Sequence, residues 1–151
     1  MTAESWVQHD KAIEYAGDGT IDYDGDSFKI ILCLSTSNIA TTSVDGYAAV
    51  TNEVATNFGY TQGTKVFASP TWVESSGTVT FDGADTVWTA SGGSIVARFA
   101  AIYDDTVTTP VADPFIVHSL LDDTPADITA TTGNTFTVAV NASGVFTVAR
   151  A

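Results

Sequence analysis

Alternation of apolar and polar residues is the leading signal in the second half of the chain. In Thr135-Phe136-Thr137-Val138-Ala139-Val140 the side chains of Phe136, Val138 and Val140 point one way, and the same period recurs from Val145 to Val148. A repeat of two marks a half-buried strand. On this pattern strands are expected at Lys65 to Ser69, Thr71 to Val73, Thr78 to Phe81, Thr86 to Thr89, Ser94 to Tyr103, Phe115 to Leu121, Ile128 to Thr131, Thr135 to Asn141 and Val145 to Ala149. Turn signals fall between them: Ser76-Gly77, Asp82-Gly83, Ser91-Gly92-Gly93, Asp104-Asp105, Asp122-Asp123 and Gly133-Asn134. Trp72 and Trp88 then flank a hairpin through Asp82-Gly83, and Asn141-Ala142-Ser143-Gly144 reads as a second hairpin turn. Short strands with a turn roughly every ten residues indicate an antiparallel sandwich or barrel. The expected fold is therefore mostly β: an antiparallel β-sandwich or jelly-roll-like domain with a short N-terminal helix and one long polar loop.

The first half is less regular. Ile30-Ile31-Leu32-Cys33-Leu34 is a continuous apolar run inside an expected strand from Phe28 to Leu34. Upstream, Glu4 to Ala16 is the helix candidate, with Trp6, Val7, Ile13 and Tyr15 near one face and Gly17 as its C-cap. That face either packs on the domain's own core or docks on a neighbouring subunit. The chain divides accordingly into an N-terminal helix or arm, 1–16, and a single β-sandwich domain, 17–151. Ser35 to Gly63 is polar and poorly periodic, with room for a short helix around Tyr47, Val50 and Val54 after Asp45 as N-cap. Long excursions of this kind often carry function.

Composition narrows the function. Hydrophobic residues make up 44% of the 151 residues and charged residues 15%, which suits one well-buried core and excludes a disordered tail. Eighteen acidic residues against 5 basic ones give a formal net charge of −13. Phosphate backbones and anionic lipid surfaces demand clustered Lys and Arg, so neither nucleic acid nor membrane is an expected partner. A basic protein surface would suit the charge. No stretch reaches the ~20 apolar residues that cross a bilayer, and Met1 to Ser5 lacks a signal-peptide pattern, so synthesis in the cytoplasm is expected.

Candidate chemistry is sparse. Asp18, Asp22, Asp24 and Asp26 invite a calcium site, but a loop starting at Asp22 places Ser27 where an EF-hand needs Gly and Cys33 where it needs Glu. A looser surface site is all that remains of that idea, beside the simpler reading of a solvated turn. Cys33 is the sole cysteine and sits in an apolar run with no local base, so it reads as core filling. His9 and His118 are the only histidines, too few for a zinc set. No G-x-S-x-G or phosphate-binding glycine motif occurs. No cofactor and no catalytic activity are expected. Trp72 and Trp88 read as core or cross-strand packing; exposed, they would suggest a carbohydrate- or protein-binding platform.

The order of segments adds a resemblance. Gly17-Asp18-Gly19-Thr20-Ile21-Asp22 leads into Asp26-Ser27-Phe28-Lys29-Ile30-Ile31-Leu32, then Asn52-Glu53-Val54, Gly59-Tyr60-Thr61-Gln62-Gly63 and Val87 to Arg98, continuing as Phe99 to Thr106. This resembles a family of small virion proteins of tailed bacteriophages, the capsid decoration or cement proteins, over about Ile13 to Val148. Gly59 to Gly63 and Trp88 to Tyr103 are its strongest blocks. The resemblance implies a β-sandwich on the outer capsid surface of the virion, bridging subunits of the major capsid protein, and a homo-oligomer, with a trimer as the form that three-fold capsid positions favour. Trp6, Val7, Ile13, Tyr15, Tyr47, Phe58 and Tyr60 are the candidate interface residues, on the N-terminal segment and the Ser35-to-Gly63 excursion. A tail or head–tail component and a virion-surface carbohydrate- or receptor-binding module are the alternatives.

Overall fold

A buried strand with no polar face needs cover on both sides, and the arrangement around Phe28–Cys33 supplies it. The computed structural model describes residues 3–150. Its elements in chain order are β1 (Val7–Gln8), α1 (Asp10–Asp18), β2 (Phe28–Cys33), β3 (Thr71–Ser75), β4 (Thr78–Asp82), β5 (Thr86–Thr89), β6 (Ile95–Ala97), β7 (Phe99–Asp104), β8 (Phe115–Leu120), β9 (Ile128–Ala130), β10 (Thr135–Val138) and β11 (Phe146–Ala149), with a single 3-10 turn at Tyr47–Ala49. All pairings are antiparallel. Four strands form the sheet β1-β8-β7-β2, opposed by the smaller sheets β11-β4-β3, β10-β5 and β6-β9, and the described sheets do not close into a barrel. The protein is mostly β, as its alternation predicts.

Side-chain parity divides the core in two. Phe28, Ile30 and Leu32 of β2 face the main core with Ala100 and Ile102 of β7, while Ile31 and Cys33 face a second cluster with Ala101 and Tyr103. A register shift at Ile102/Tyr103 makes Val117 pair with Ile102 and Phe115 with Tyr103. The extra residue, Ile116, lets both Ile116 and Val117 join the main core while Phe115 joins the second. At the centre of the main core, the Phe81 ring lies 5.0 Å from Tyr23, 5.1 Å from Phe28 and 5.4 Å from Phe146. The second cluster is closed by Ile39 and Val44 from the polar excursion.

Several local expectations are corrected. The helix is Asp10–Asp18, not Glu4 to Ala16, because Val7–Gln8 pairs with β8 and the His9 amide donates to the Ile116 carbonyl at 2.9 Å. Its C-cap is Gly19 at φ 80°, and Gly17 is inside the helix; residue 16 likewise falls within α1, so the 1–16 boundary cuts an element that packs on the body. Lys65 to Ser69 makes one bridge, Lys29 with Val66, and no ladder. Ser94 to Tyr103 is two strands, broken at Arg98, whose amide donates to Cys33 while its carbonyl accepts from Leu121, so the chain passes from one sheet to another. The first hairpin is β3–β4, through Ser76-Gly77, so Trp72 pairs with Phe81 and Trp88 with Phe136. The turn at Asn141 to Gly144 forms, with the Gly144 amide donating to the Asn141 carbonyl at 2.8 Å, but β10 and β11 splay apart onto β5 and β4. At Tyr47 there is only the 3-10 turn, preceded by Gly46 with no side-chain cap from Asp45.

Candidate functional site

The N-terminal segment lies along the free edge of β8. The Glu4 amide donates to the Leu120 carbonyl at 2.9 Å and Ser119 Oγ donates to the Glu4 carbonyl at 2.8 Å. Val7 pairs with His118. These bonds hold the segment as strand, and α1 then seats Ala12 and Tyr15 in the core. Two apolar side chains remain outside: Val7 is 43% exposed and Ile13 60%. Tyr15, expected at an interface, is buried. Trp6 is half-buried and packs against the main core.

The excursion from Ser35 to Gly63 is a cover and not a projecting arm. Glu53 is its knot: the carboxylate accepts from Tyr47 Oη at 2.7 Å, Tyr60 Oη at 2.6 Å and the Gly63 amide at 2.9 Å. Tyr60 Oη in turn accepts from the Leu32 amide at 3.0 Å, tying the knot to β2. Burial first, and then the Glu53 carboxylate, raise the Tyr60 hydroxyl well above its ordinary range, so it stays protonated as a donor. Tyr47 stacks on Tyr103 with ring centroids 4.8 Å apart. Asn38 and Thr51 close the loop reciprocally: the Thr51 amide donates to Asn38 Oδ1 at 2.8 Å and the Asn38 amide to Thr51 Oγ1 at 3.2 Å. Of the loop's interface candidates, Tyr60 is buried and Tyr47 half-buried, while Phe58 stays exposed and packs over Gly93. Gly59 is required here: at φ +91° a Cβ would lie 2.1 Å from the Thr89 carbonyl oxygen.

The aspartate run folds as turns that use its own carboxylates. Asp18 Oδ1 accepts from the Thr20 amide, Asp22 Oδ1 from the Asp24 and Gly25 amides, and Asp26 Oδ2 from the Asp22 amide. The Asp24 side chain points to solvent. Among the described residues no group of three His, Cys, Asp or Glu side chains is arranged to hold a metal ion. Cys33 is buried, and desolvation pushes its thiol up to about 12, so it carries no thiolate near neutrality. Trp88 is buried in the core and Trp72 stacks on Tyr23 at 4.8 Å, so neither makes an exposed platform.

Sequence reasoning missed one constellation. His9 and His118, far apart in the chain, meet in the interior with His118 Nδ1 3.0 Å from His9 Nε2. His9 Nδ1 lies 3.0 Å from the Val44 carbonyl, so the pair joins β8, the start of α1 and the covering loop. Desolvation is the main cause of both lowered pKa values, and the neighbouring imidazole adds to it for His118, which falls to about 4. The only sequence signal was a histidine inside an apolar strand.

An open groove of about 710 Å³ lies between the N-terminal segment and the splayed strands β10 and β11. Trp6, Leu121, Val140 and Phe146 line it, and Glu4 is the one charged residue among the lining side chains. Compared with known proteins, the chain matches no family model, no curated protein and no solved structure.

Proposed function

We propose that this chain is a structural protein that binds other protein surfaces, placed on the outer capsid of a tailed bacteriophage where it bridges major capsid protein subunits. The observation that carries the reading is the pair Val7 and Ile13: apolar side chains held in solvent on a segment hydrogen-bonded into the main sheet. Covering the exposed part of each contributes about 1 kcal/mol at ~25 cal/mol per Å². One such contact is weak, and repetition around a shell multiplies it through avidity. The net charge of −13 fits a basic protein surface as the docking partner. The resemblance of the Gly59-to-Gly63 and Trp88-to-Tyr103 blocks to decoration proteins supplies the choice of a capsid.

The test is co-sedimentation of the purified chain with undecorated phage capsids, comparing it with Val7→Asp and Ile13→Asp. Truncating the N-terminal segment is unsuitable, because His9, Ala12 and Tyr15 belong to the core. Saturable binding that either substitution weakens tenfold or more supports the reading. Failure of the unaltered chain to bind capsids overturns it, and assembly into rings or tubes instead moves the protein to the tail.

A further inference from the structure

The groove is bounded by two strand edges that no described strand pairs. The Ala90 amide donates to the Asn134 carbonyl, so the hydrogen-bonded pairs of β10 with β5 are Phe136 with Trp88 and Val138 with Thr86. The backbone groups of Thr137 and Ala139 therefore point away from β5. On β11 the Arg150 amide donates to the Gly77 carbonyl, which fixes Phe146 and Val148 as the residues bonded to β4 and turns Thr147 outward. Successive residues of both strands line the groove, Phe136 to Val140 and Val145 to Thr147, as expected of strands presenting edges and not faces. Elsewhere the chain covers such an edge itself. The outer side of β2 is bonded at Ile30 to Lys65, at Phe67 to Phe28, at Val54 to Leu32 and at Leu34 to Asn52. Uncovered edges are templates for another strand.

We infer that this groove takes an extended segment of another protein as an added strand, with alternating apolar side chains and flanking basic residues. The lining supplies apolar contacts from Trp6, Leu121, Val140 and Phe146. Charge selects the partner. Glu4 is the charged side chain in the groove, and Asp123 is exposed two residues beyond Leu121. Four of this chain's five cations are engaged elsewhere: Lys11 with Glu14, Lys29 with Asp105, Arg98 with Asp127, and Lys65 with the Val87 carbonyl; the fifth, Arg150, follows β11 and lies against Gly77 of the β3–β4 turn. A second copy would bring a further charge of −13 to an acidic surface, whereas a basic segment meets attraction. At ~3.3 Å per residue, the length of β10 accommodates about four residues of added strand. This surface is distinct from Val7 and Ile13, and the inference holds whatever assembly the protein joins.

The experiment is amide-resolved NMR of the full chain titrated with two probe peptides, Val-Thr-Val-Thr-Val flanked by lysine at both ends and the same core flanked by glutamate. The expected result is shift changes and slowed hydrogen exchange at Thr137, Ala139 and Thr147 with the lysine peptide, with binding at least tenfold weaker for the glutamate peptide. Thr137→Pro removes an outward amide and should abolish the effect on β10. Glu4→Lys, an exposed change that leaves the ladders intact, should narrow or reverse the preference between peptides. Absence of any effect with the lysine peptide, equal binding of both, or changes confined to Thr71 to Ser75 would overturn the inference. Slowed exchange at the same amides that grows with protein concentration alone would replace the basic partner with a second copy.

Discussion

His118 donates through Nδ1 to Nε2 of His9 across 3.0 Å, and the direction of that bond is forced. His9 Nδ1 faces the Val44 carbonyl, which can only accept, so His9 carries its proton on Nδ1 and leaves Nε2 as acceptor. Both rings are buried, and both must be neutral for the chain of bonds to hold without a desolvated charge. Asp10 and Asp45 are the acidic groups that act on His9, each raising its pKa and neither overcoming burial. The pair thus fixes three parts of the fold at one point: β8, the start of α1 and the loop that covers the second core cluster.

Acid should loosen this point. An imidazole titrates near 6.5 in the unfolded chain, and that of His118 falls to about 4 in the fold. Between these values the unfolded state takes up the proton first, so the contribution is fully present above about pH 6.5 and lost as pH falls toward 4. The full swing is about 3 kcal/mol. Urea denaturation of the unaltered chain and of His118→Gln, at about pH 7.5 and 4.5, should show a smaller acid loss in the variant, with the part due to the buried His9 remaining. Equal losses in the two proteins would place the pH dependence elsewhere.

Asp104 should act with the opposite sign. It is fully buried; Oδ1 accepts from the Thr106 and Val107 amides, while Oδ2 has no partner among the described residues. Burial pushes its pKa up to about 6, and the Asp26 carboxylate adds to the shift. The folded state then binds a proton more tightly than the unfolded one, so this contribution is present below about pH 4 and lost as pH rises through 6. Asp104→Asn keeps the acceptor for both amides and removes the buried charge. It should raise stability at pH 7 by about 2 kcal/mol, with little change at pH 4, read from urea midpoints. A loss of stability at pH 7 would show that the ionised form is the one the fold needs.

The legible parts of this structure are those fixed by neighbours in sequence. The period of two gave most strands to within a residue or two, and the unbroken run Phe28–Cys33 read correctly as buried. What covers its second face was not legible. Val44, Tyr47 and Val50 recur every third residue, a helical spacing that the structure realises only as a single 3-10 turn, Ile39 falls outside it, and the Glu53 knot depends on partners from Tyr47 to Gly63 that no period connects. The partners of β10 and β11 were misread for a related reason. Asn141 to Gly144 encodes a turn, but each strand gains more by completing a sheet with β5 or β4, where Phe136 meets Trp88 and Phe146 meets Phe81. The histidine pair lies 109 residues apart in sequence and has no local signature at all. Of the interface candidates, Val7 and Ile13 remain outside because β1 and α1 bury their other faces, and Phe58 stays exposed on the covering loop.

The corrected end of α1 yields a prediction with two signs. Gly17 lies inside the helix, and a Cβ built there meets nothing within 4 Å. Gly17→Ala should therefore stabilise the protein by about 0.5–1 kcal/mol, since alanine removes backbone entropy from the unfolded chain and suits the helical conformation. Gly19 also has open space around its Cβ position, but its φ of 80° lies in the left-handed region that closes the helix. Gly19→Ala should cost about 1 kcal/mol through backbone strain alone. Thermal midpoints of the two variants should thus move in opposite directions from that of the unaltered chain. Had the helix ended at Gly17, that residue would hold the left-handed position and its substitution would be the costly one, so the signs of the two shifts locate the C-cap without reference to their size.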